Sequence, residues 1–399
     1  MKILESLPVL HESSPRLILS QIREHGPIDR ASLARMTGLH PSTITRIVTS
    51  LISEGLVQED GEGPKGLGRK PIMLSLVPEA IHVMGIAVES TFVSGILVNL
   101  QADILDRMEF RLRKQDMPSV EEGMALVIDF LLEKARERQV DVRGIGIAMH
   151  GIVDNQDGVC IFAPALGARE VPVAATVQAR YNLPVCMDNN ANALALGELW
   201  FGNGKGLDNL LAVKVGNSIG SGVIIDGRLY SGSRFWAGEV GHVTVVFDGP
   251  QCKCGNYGCL ESVASIEAVV TKARLLLKRG EGSDLLALTG GDPDALTFSH
   301  LQEGAQLGNE LTMQLWDEVG SHLGLALVNM INILNPTKIL IGGDILPVID
   351  YVLPKARQIV KIRSLEVLQG TTSIEKVGLG SDAVAVGAAT LVFKELFEA

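Results

Sequence analysis

Pro41-Ser42-Thr43-Ile44-Thr45-Arg46-Ile47-Val48-Thr49-Ser50-Leu51-Ile52-Ser53 reads as a helix with two unlike faces. Ile44, Ile47, Val48, Leu51 and Ile52 recur at helical spacing and predict a stripe that faces a core. Ser42, Thr43, Thr45, Arg46 and Thr49 fall on the other side, and none of them is acidic. Pro41 suits the first turn, where its missing N–H costs nothing. Short hydroxyls and an arginine near a helix start are what a reader of the major groove needs. They supply donors to phosphate and a fork that fits guanine O6 and N7.

Upstream, Pro15 to Glu24 predicts a first helix, broken by His25-Gly26-Pro27. Asp29 can cap a short second helix carrying Ala31, Leu33, Ala34 and Met36. Gly38 fits the left-handed turn after it. Two short helices, a glycine turn and a polar-faced third helix make a helix-turn-helix. Downstream, Leu56-Val57-Gln58-Glu59-Asp60 and Ile72-Met73-Leu74-Ser75-Leu76 predict two strands around a loop, a β-wing. The loop mixes Gly61, Gly63, Gly66 and Gly68 with Lys65, Arg69 and Lys70. Glycines with cations can follow a phosphate backbone or a minor groove. Ser42, Thr43, Thr45, Arg46, Lys65, Arg69 and Lys70 are therefore the candidate contacts to double-stranded DNA. The alternative is a three-helix packing module with a solvated loop.

The charge distribution agrees with a DNA-binding head on an acidic body. Nine basic and nine acidic side chains cancel in residues 1–80, so the whole net charge of −11 lies in residues 81–399. From Arg30 to Ser53 there is no acid at all. A chain of 399 residues predicts two or three domains. Apolar residues make up 46%, enough for sizeable cores and too many for wholesale disorder. Five cysteines are too few for a disulfide scaffold. The opening MKILESLPVLHESS lacks the pattern of a secretory leader, and no run of about 18 apolar residues could span a bilayer. A cytoplasmic protein that does not enter the membrane is the expectation.

From Ile81 onward, strands alternate with helices. Ile81–Val88, Val93–Val98, Val142–Met149, Leu183–Met187, Leu210–Val215 and Lys338–Ile341 predict strands. Val120–Arg136 and Met313–Ile333 predict helices, and Gly380 to Phe397 predicts a turn and a closing helix. Such alternation is an α/β body, most simply two lobes with a cleft. The expected boundaries are 1–78 for the winged helix-turn-helix, 79–193 for the first lobe, completed by 383–399, and 194–382 for the second. The glycine-rich runs Gly216-Asn217-Ser218-Ile219-Gly220-Ser221-Gly222 and Gly342-Gly343-Asp344 sit in the second lobe.

Cys252-Lys253-Cys254-Gly255-Asn256-Tyr257-Gly258-Cys259 places three thiols within eight residues, and His242 lies ten positions upstream. Three thiolates and an imidazole suit a closed, tetrahedral structural Zn²⁺ site of His242, Cys252, Cys254 and Cys259. Four protein ligands leave no position for zinc chemistry. The alternative is reactive or disulfide-bonded cysteines. Cys160 and Cys186 lie in apolar strands and read as buried fillers.

These residues resemble the ROK family of repressors, open reading frames and sugar kinases, and its winged-helix repressor branch in particular. The resemblance covers nearly the whole chain. It is carried by Glu239-Val240-Gly241-His242, by Cys252–Glu261, by Asn189 to Leu196 and by the glycines at 216–222 and 342–343. It implies an actin-like, hexokinase-like ATPase body with a sugar in the cleft. Asn189, Glu239, His242 and Glu261 match sugar-contacting positions, and Asn190 stands beside them. Carboxylates and amides engage pairs of hydroxyls and reject analogues that lack them.

The departures from that pattern bear on function. Kinases of the family open with Asp-x-Gly-Gly-Thr, and here the run is Ala87-Val88-Glu89-Ser90-Thr91. The second phosphate loop has Asn217-Ser218 in place of Thr-Gly. The catalytic base should be an Asp at 190, and an amide cannot take the proton of an attacking hydroxyl. The body therefore reads as a former kinase that binds sugar without phosphorylating it. Ala165 and Ala168 replace an Asn and a Trp common in sugar-binding relatives, and His150 stands where Pro is common before Gly151.

The leading expectation is a sugar-responsive regulator, in this family most often a repressor of carbohydrate genes. As a homodimer or homotetramer it would place two recognition helices on a pseudo-palindromic operator. An ATP-dependent sugar kinase with a winged helix would need intact phosphate loops and Asp at 190. A regulator controlled by a protein partner would give a flat response to every sugar.

Overall fold

The computed structural model describes residues 7–63 and 70–397. Lys65 and Arg69 lie outside the described residues. The chain divides into two compact units, Met1–Asn190 with Ala385–Ala399, and Ala191–Val384.

The first unit begins with α1 (Ser13–His25), β1 (Ile28–Asp29), α2 (Arg30–Thr37), α3 (Pro41–Ser53), β2 (Val57–Glu62) and β3 (Ile72–Leu76). The helix-turn-helix and wing are as the sequence predicts, and α1 runs one to two residues further at each end. Asp29 caps α2, its Oδ1 accepting from the backbone N–H of Ala31 (2.9 Å) and Ser32 (3.0 Å). Gly38 closes α2 at φ +69, a left-handed conformation that favours glycine. Ile44, Ile47, Val48 and Leu51 are buried and pack beside Ile18, Leu19, Ile22 and Leu33 in the head's core, while Ile52 is only half-buried. The wing strands pair antiparallel, with Val57 opposite Leu76 and Glu62 opposite Ile72. β1 joins β3 on its other side, so the order is β1-β3-β2.

Burial raises the Asp29 carboxyl, but hydrogen bonds from the Ser32 side chain and from the Ser32 and Ala31 backbone outweigh it. The net effect holds Asp29 below its ordinary value of 3.8. A group with a depressed folded value stabilises above its unfolded value and loses that contribution as pH falls through the folded one. Asp29→Ala is therefore expected to cost about 1 kcal/mol at pH 7. The difference from the parent should shrink below about pH 4 in paired melts.

The rest of the first unit is a five-stranded sheet of order β11-β7-β4-β5-β6. Its strands are β4 (His82–Val88), β5 (Phe92–Val98), β6 (Ile104–Arg111), β7 (Val142–Met149) and β11 (Val185–Asn189), with α4 (Met117–Arg138) between β6 and β7. A small sheet of β8 (Ile152–Asp154), β9 (Val159–Ala163) and β10 (Ala168–Val171) precedes α5 (Val173–Tyr181). The sequence reading lacked β6 and this small sheet. Apolar residues of the large sheet, the small sheet, α4 and α5 form one core. The C-terminal helix, Ala383–Phe397, also belongs to this unit from Ala385 on. It meets β4 and β7 at two glycines. A Cβ at Gly146 would lie 1.7 Å from the Ala388 carbonyl oxygen, and one at Gly85 would lie 2.0 Å from that of Ala385. At its far end the ring of Phe397 lies 5.8 Å below the guanidinium of Arg23, on α1.

The second unit carries a sheet of order β14-β13-β12-β15-β16. Here α6 (Asn190–Phe201) leads to β12 (Leu210–Val215), β13 (Ile219–Ile225) and β14 (Arg228–Leu229). Helices α7 (Leu260–Ala264), α8 (Ile266–Lys278), α9 (Ser283–Leu288), α10 (Phe298–Gln306) and α11 (Glu310–Leu334) follow, then β15 (Lys338–Gly342), α12 (Ile349–Arg363) and β16 (Ser373–Lys376). Trp316 is fully buried at the centre of its core. Glu198, on α6, is also fully buried. It accepts backbone N–H bonds from Asn203 (2.8 Å), Gly378 (2.9 Å) and Leu379 (2.8 Å), which ties α6 to the chain beyond β16. Among the described residues no helix is long and apolar enough to cross a membrane.

Candidate functional site

Three groups of residues carry chemistry. The first is the outward face of α3. Ser42, Thr45, Arg46 and Thr49 are exposed and Thr43 is half-buried. The His40 ring caps the helix, accepting from the Ser42 backbone N–H at 3.3 Å, and its Nδ1 lies 2.8 Å from the Ser42 hydroxyl. The Thr45 hydroxyl donates to the Pro41 carbonyl at 2.9 Å, so toward a ligand it offers lone pairs. On the wing, Lys70 pairs with Glu62 at 2.9 Å and Arg30 pairs with Glu59 at 2.8 Å. Both pairs are substantially solvated, and exposed pairs of this kind are worth little, so phosphate can compete for Lys70.

The second group is the metal cluster. His242 ends a 3-10 turn, Val240–His242, which sits against β13. A Cβ at Gly241 would fall 2.0 Å from the Ile219 carbonyl oxygen, so only glycine lets the turn lie there. One ligand atom each from His242, Cys252, Cys254 and Cys259 falls within 4.8 Å of the others. Cys252 Sγ is 3.7 Å from His242 Nδ1, and Cys254 Sγ is 3.8 Å from Cys259 Sγ. Donors about 2.0–2.3 Å from a tetrahedral ion stand about 3.5–3.8 Å apart, so these two distances suit ligands of one ion. The five cysteines are not bonded to one another in this structure. Cys160 is buried as expected, but Cys186 is only partly covered on β11.

The third group is polar and lies in two places. In the second unit, His242 turns Nε2 toward Glu239 Oε2, 3.9 Å away. Glu261, in the first turn of α7, accepts from the Ile219 backbone N–H at 3.0 Å, and its other oxygen is 3.9 Å from Cys252 Sγ. The cluster thus holds both carboxylate-bearing segments. Burial pushes the Glu239 carboxyl above its usual range, His242 opposes the shift, and Glu261 adds to it.

In the first unit, Asn189 ends β11 and donates from Nδ2 to the Gly151 carbonyl at 2.6 Å. Its backbone N–H reaches Asp188 Oδ1 at 2.7 Å, and Asp188 Oδ2 accepts from Asn155 at 3.1 Å. Asn190 Nδ2 donates to Glu89 Oε1 at 3.0 Å, and both side chains are buried. No local signal linked Glu89 to Asn190, because 101 residues separate them. His150 is buried at the end of β7. Ala168 belongs to the hydrophobic core of this unit, with no polar or stacking group in its place.

The ROK family profile matches residues 83–395 and the MarR family profile matches residues 16–59. The chain is 32% identical over 385 residues to a xylose repressor of Bacillus subtilis, covering 96% of this chain and 95% of that protein. A crystal structure of a ROK family transcriptional regulator, a homologue of the Escherichia coli MLC protein, superposes with a TM-score of 0.82. It shares 26% identity over 96% of both chains. A ROK family glucokinase from Streptomyces griseus, solved with glucose and AMPPNP, gives a TM-score of 0.70 at 28% identity. That match covers 78% of this chain and 98% of the kinase.

Proposed function

The chain belongs to the ROK family, and from that premise we propose a sugar-responsive transcriptional repressor of carbohydrate metabolism genes. Its kinase-like body binds sugar and does not phosphorylate it. The observation that carries this reading is the acid-free outward face of α3, on a winged helix joined to a body whose residue 190 is an amide. The relatives support it, since a named repressor matches along nearly the whole chain, whereas the glucokinase matches only 78% of it.

Ser42, Thr43, Thr45 and Arg46 reach base edges and phosphates, and Lys70, with Lys65 and Arg69, follows the backbone. Two copies of the head, in a homodimer or homotetramer, meet the two halves of an operator. Residues 1–78 serve DNA, while 79–193 with 383–399 and 194–382 serve the effector. Glu239, His242 and Glu261 of the second unit take sugar hydroxyls, as do Asn189 and Asn190 of the first. Zn²⁺ fits the three thiols and one imidazole, where it supplies a crosslink and no reactive position. Such a protein works in the cytoplasm, beside the chromosome.

Footprinting on DNA selected by the protein from genomic fragments, with and without sugars, tests the reading. Specific protection that one sugar changes is the expected result. Salt-sensitive protection without sequence preference would overturn it. Arg46→Ala is expected to narrow the gap between operator and random DNA by about 1–3 kcal/mol. Glu239→Ala is expected to keep operator protection and lose the response to sugar, read in the same footprint.

A further inference from the structure

We infer that the groove at the outer edge of β11 docks an extended, basic segment of a partner protein, which adds to the five-stranded sheet as a sixth strand. None of the residues assigned above to sugar, metal or DNA lines this groove.

β11 closes one end of the sheet, so its strand pairing is with β7 on one side only. The Ile145 N–H donates to the Pro184 carbonyl at 2.9 Å, and Val185 lies opposite Ile145 in the parallel register. Backbone groups alternate sides along a strand. Cys186 therefore also turns to β7, while Val185 and Met187 turn their N–H and C=O outward. The same two residues line a groove of about 420 Å³. One wall is α5 and its cap, where Ala175, Gln178, Ala179 and Asn182 recur at i, i+3, i+4 and i+7 and share a face. The other wall is the turn at 155–158, between β8 and β9. Asp154 Oδ1 fixes that turn by accepting from the backbone N–H of Gln156 (3.0 Å) and Asp157 (3.2 Å). The Ala174 N–H ties it to α5 through the Gly158 carbonyl at 3.1 Å. Both walls are thus built on regular structure.

The chemistry of the groove suits a main chain. Outward N–H and C=O groups on a strand edge pair with another extended backbone. On the α5 wall, the primary amides of Gln178 and Asn182 each carry a donor and an acceptor side by side, the same pair that a peptide group offers. Ala175 and Ala179 keep that wall low, so a backbone can come close. Edge strands are commonly guarded against such pairing by lysine or proline. Val185-Cys186-Met187 carries neither. Charge then selects the partner. Asp157, exposed at the rim, is the only charged side chain among the lining residues, and no lysine, arginine or histidine joins it. Residues 81–399 also carry the whole net charge of −11. A segment with lysine or arginine is drawn in, and an acidic one is repelled.

The test selects a phage-displayed library of random seven-residue peptides on the full-length protein. Full-length Ala179→Arg serves as the control. Ala179 is exposed on α5 and arginine is a good helix former, so this variant fills the groove and leaves the fold alone, which a cooperative melt verifies. The expected winners contain lysine or arginine, favour β-branched residues and lack proline. As a synthetic peptide, the leading sequence should bind Ala179→Arg at least about tenfold more weakly than the parent. A copy N-methylated at alternate residues cannot pair along the edge and should lose about tenfold or more. Asp157→Asn should weaken the basic peptide by about threefold. In residue-level hydrogen exchange, the peptide should slow the amides of Val185 and Met187, which face the groove, and spare that of Cys186, which faces β7. A library that yields no enriched sequence overturns the inference. So do peptides that bind folded Ala179→Arg as tightly as the parent, an N-methylated copy that binds undiminished, or winners that are acidic. The repressor reading is untouched by any of these results, since it rests on footprints.

Discussion

Cys254→Ser loses the metal and, with it, the sugar response. The residue is exposed, so replacing sulfur by oxygen removes little packing. What it removes is one of four candidate ligand groups whose donor atoms lie within 4.8 Å of one another. Even partners outside the ligand shell of a metal are worth about 10–100-fold in affinity, so loss of a ligand should exceed 100-fold. A site filled at a thousand times its Kd stabilises the folded state by about 4 kcal/mol, and this contribution disappears with the ion. The damage should spread to Glu239 and Glu261, because His242 stands 3.9 Å from one and Cys252 stands 3.9 Å from the other. Metal analysis of purified parent and variant, with a melt of each, gives the answer. One zinc per chain and a parental melt in the variant would mean that the four residues are not the ligands. A chelator added to the parent should reproduce the variant's melt.

Gly146→Val undocks the C-terminal helix. A Cβ there would sit 1.7 Å from the Ala388 carbonyl oxygen and 2.5 Å from its carbon. Those atoms are helix backbone, so no side chain can rotate out of the way. Either the helix lifts off β7 or the sheet bends, and both open the buried face that Gly85 and Gly146 share. The expected loss is about 4 kcal/mol or more, in the range reserved for gross overpacking. For a unit of this size it corresponds to a fall in Tm on the order of 10 °C. Gly95→Ala makes a useful contrast, because its new methyl would meet only side chains, those of Val127, Ile86 and Leu131. A Gly146→Val protein that melts within about 2 °C of the parent would mean the helix is not seated as described.

The parts of this protein that were legible in the sequence are those specified by near neighbours in the chain. Asp29, Gly38 and Pro41 mark the ends of α2 and α3 within a few residues, and the apolar stripe of α3 came out buried apart from half-covered Ile52. The three cysteines of the metal cluster lie so close in sequence that spacing alone pointed to an ion. β7 and β12 are mostly apolar, each with one basic residue, Arg143 and Lys214, and their ends fell where the sequence put them. β6 was missed because it alternates half-covered and exposed residues, Asp106, Arg107 and Glu109 among them. β8, β9 and β10 are only three to five residues long and owe their pairing to each other. The least legible features join distant residues. Glu198 meets Gly378 across 180 positions, and Glu89 meets Asn190 across 101. Asn190 read as a lost base from its own position, and only the fold shows that its amide is paired with a buried acid.

The C-terminal helix leaves a mark on the order of events at the ribosome. Residues 191–384 form a compact unit of their own and are all translated before the helix emerges. The unit that carries the DNA-binding head is translated first yet cannot be completed until residues 385–397 arrive to cover Gly85 and Gly146. A nascent chain stalled at Val384 would therefore hold a finished second unit and an unfinished first one. Its sheet would be bare along a strip where backbone is meant to touch backbone, a surface for chaperones to cover. A regulator assembled this way offers its recognition helix on a completed scaffold only after synthesis has passed through the whole of the second unit.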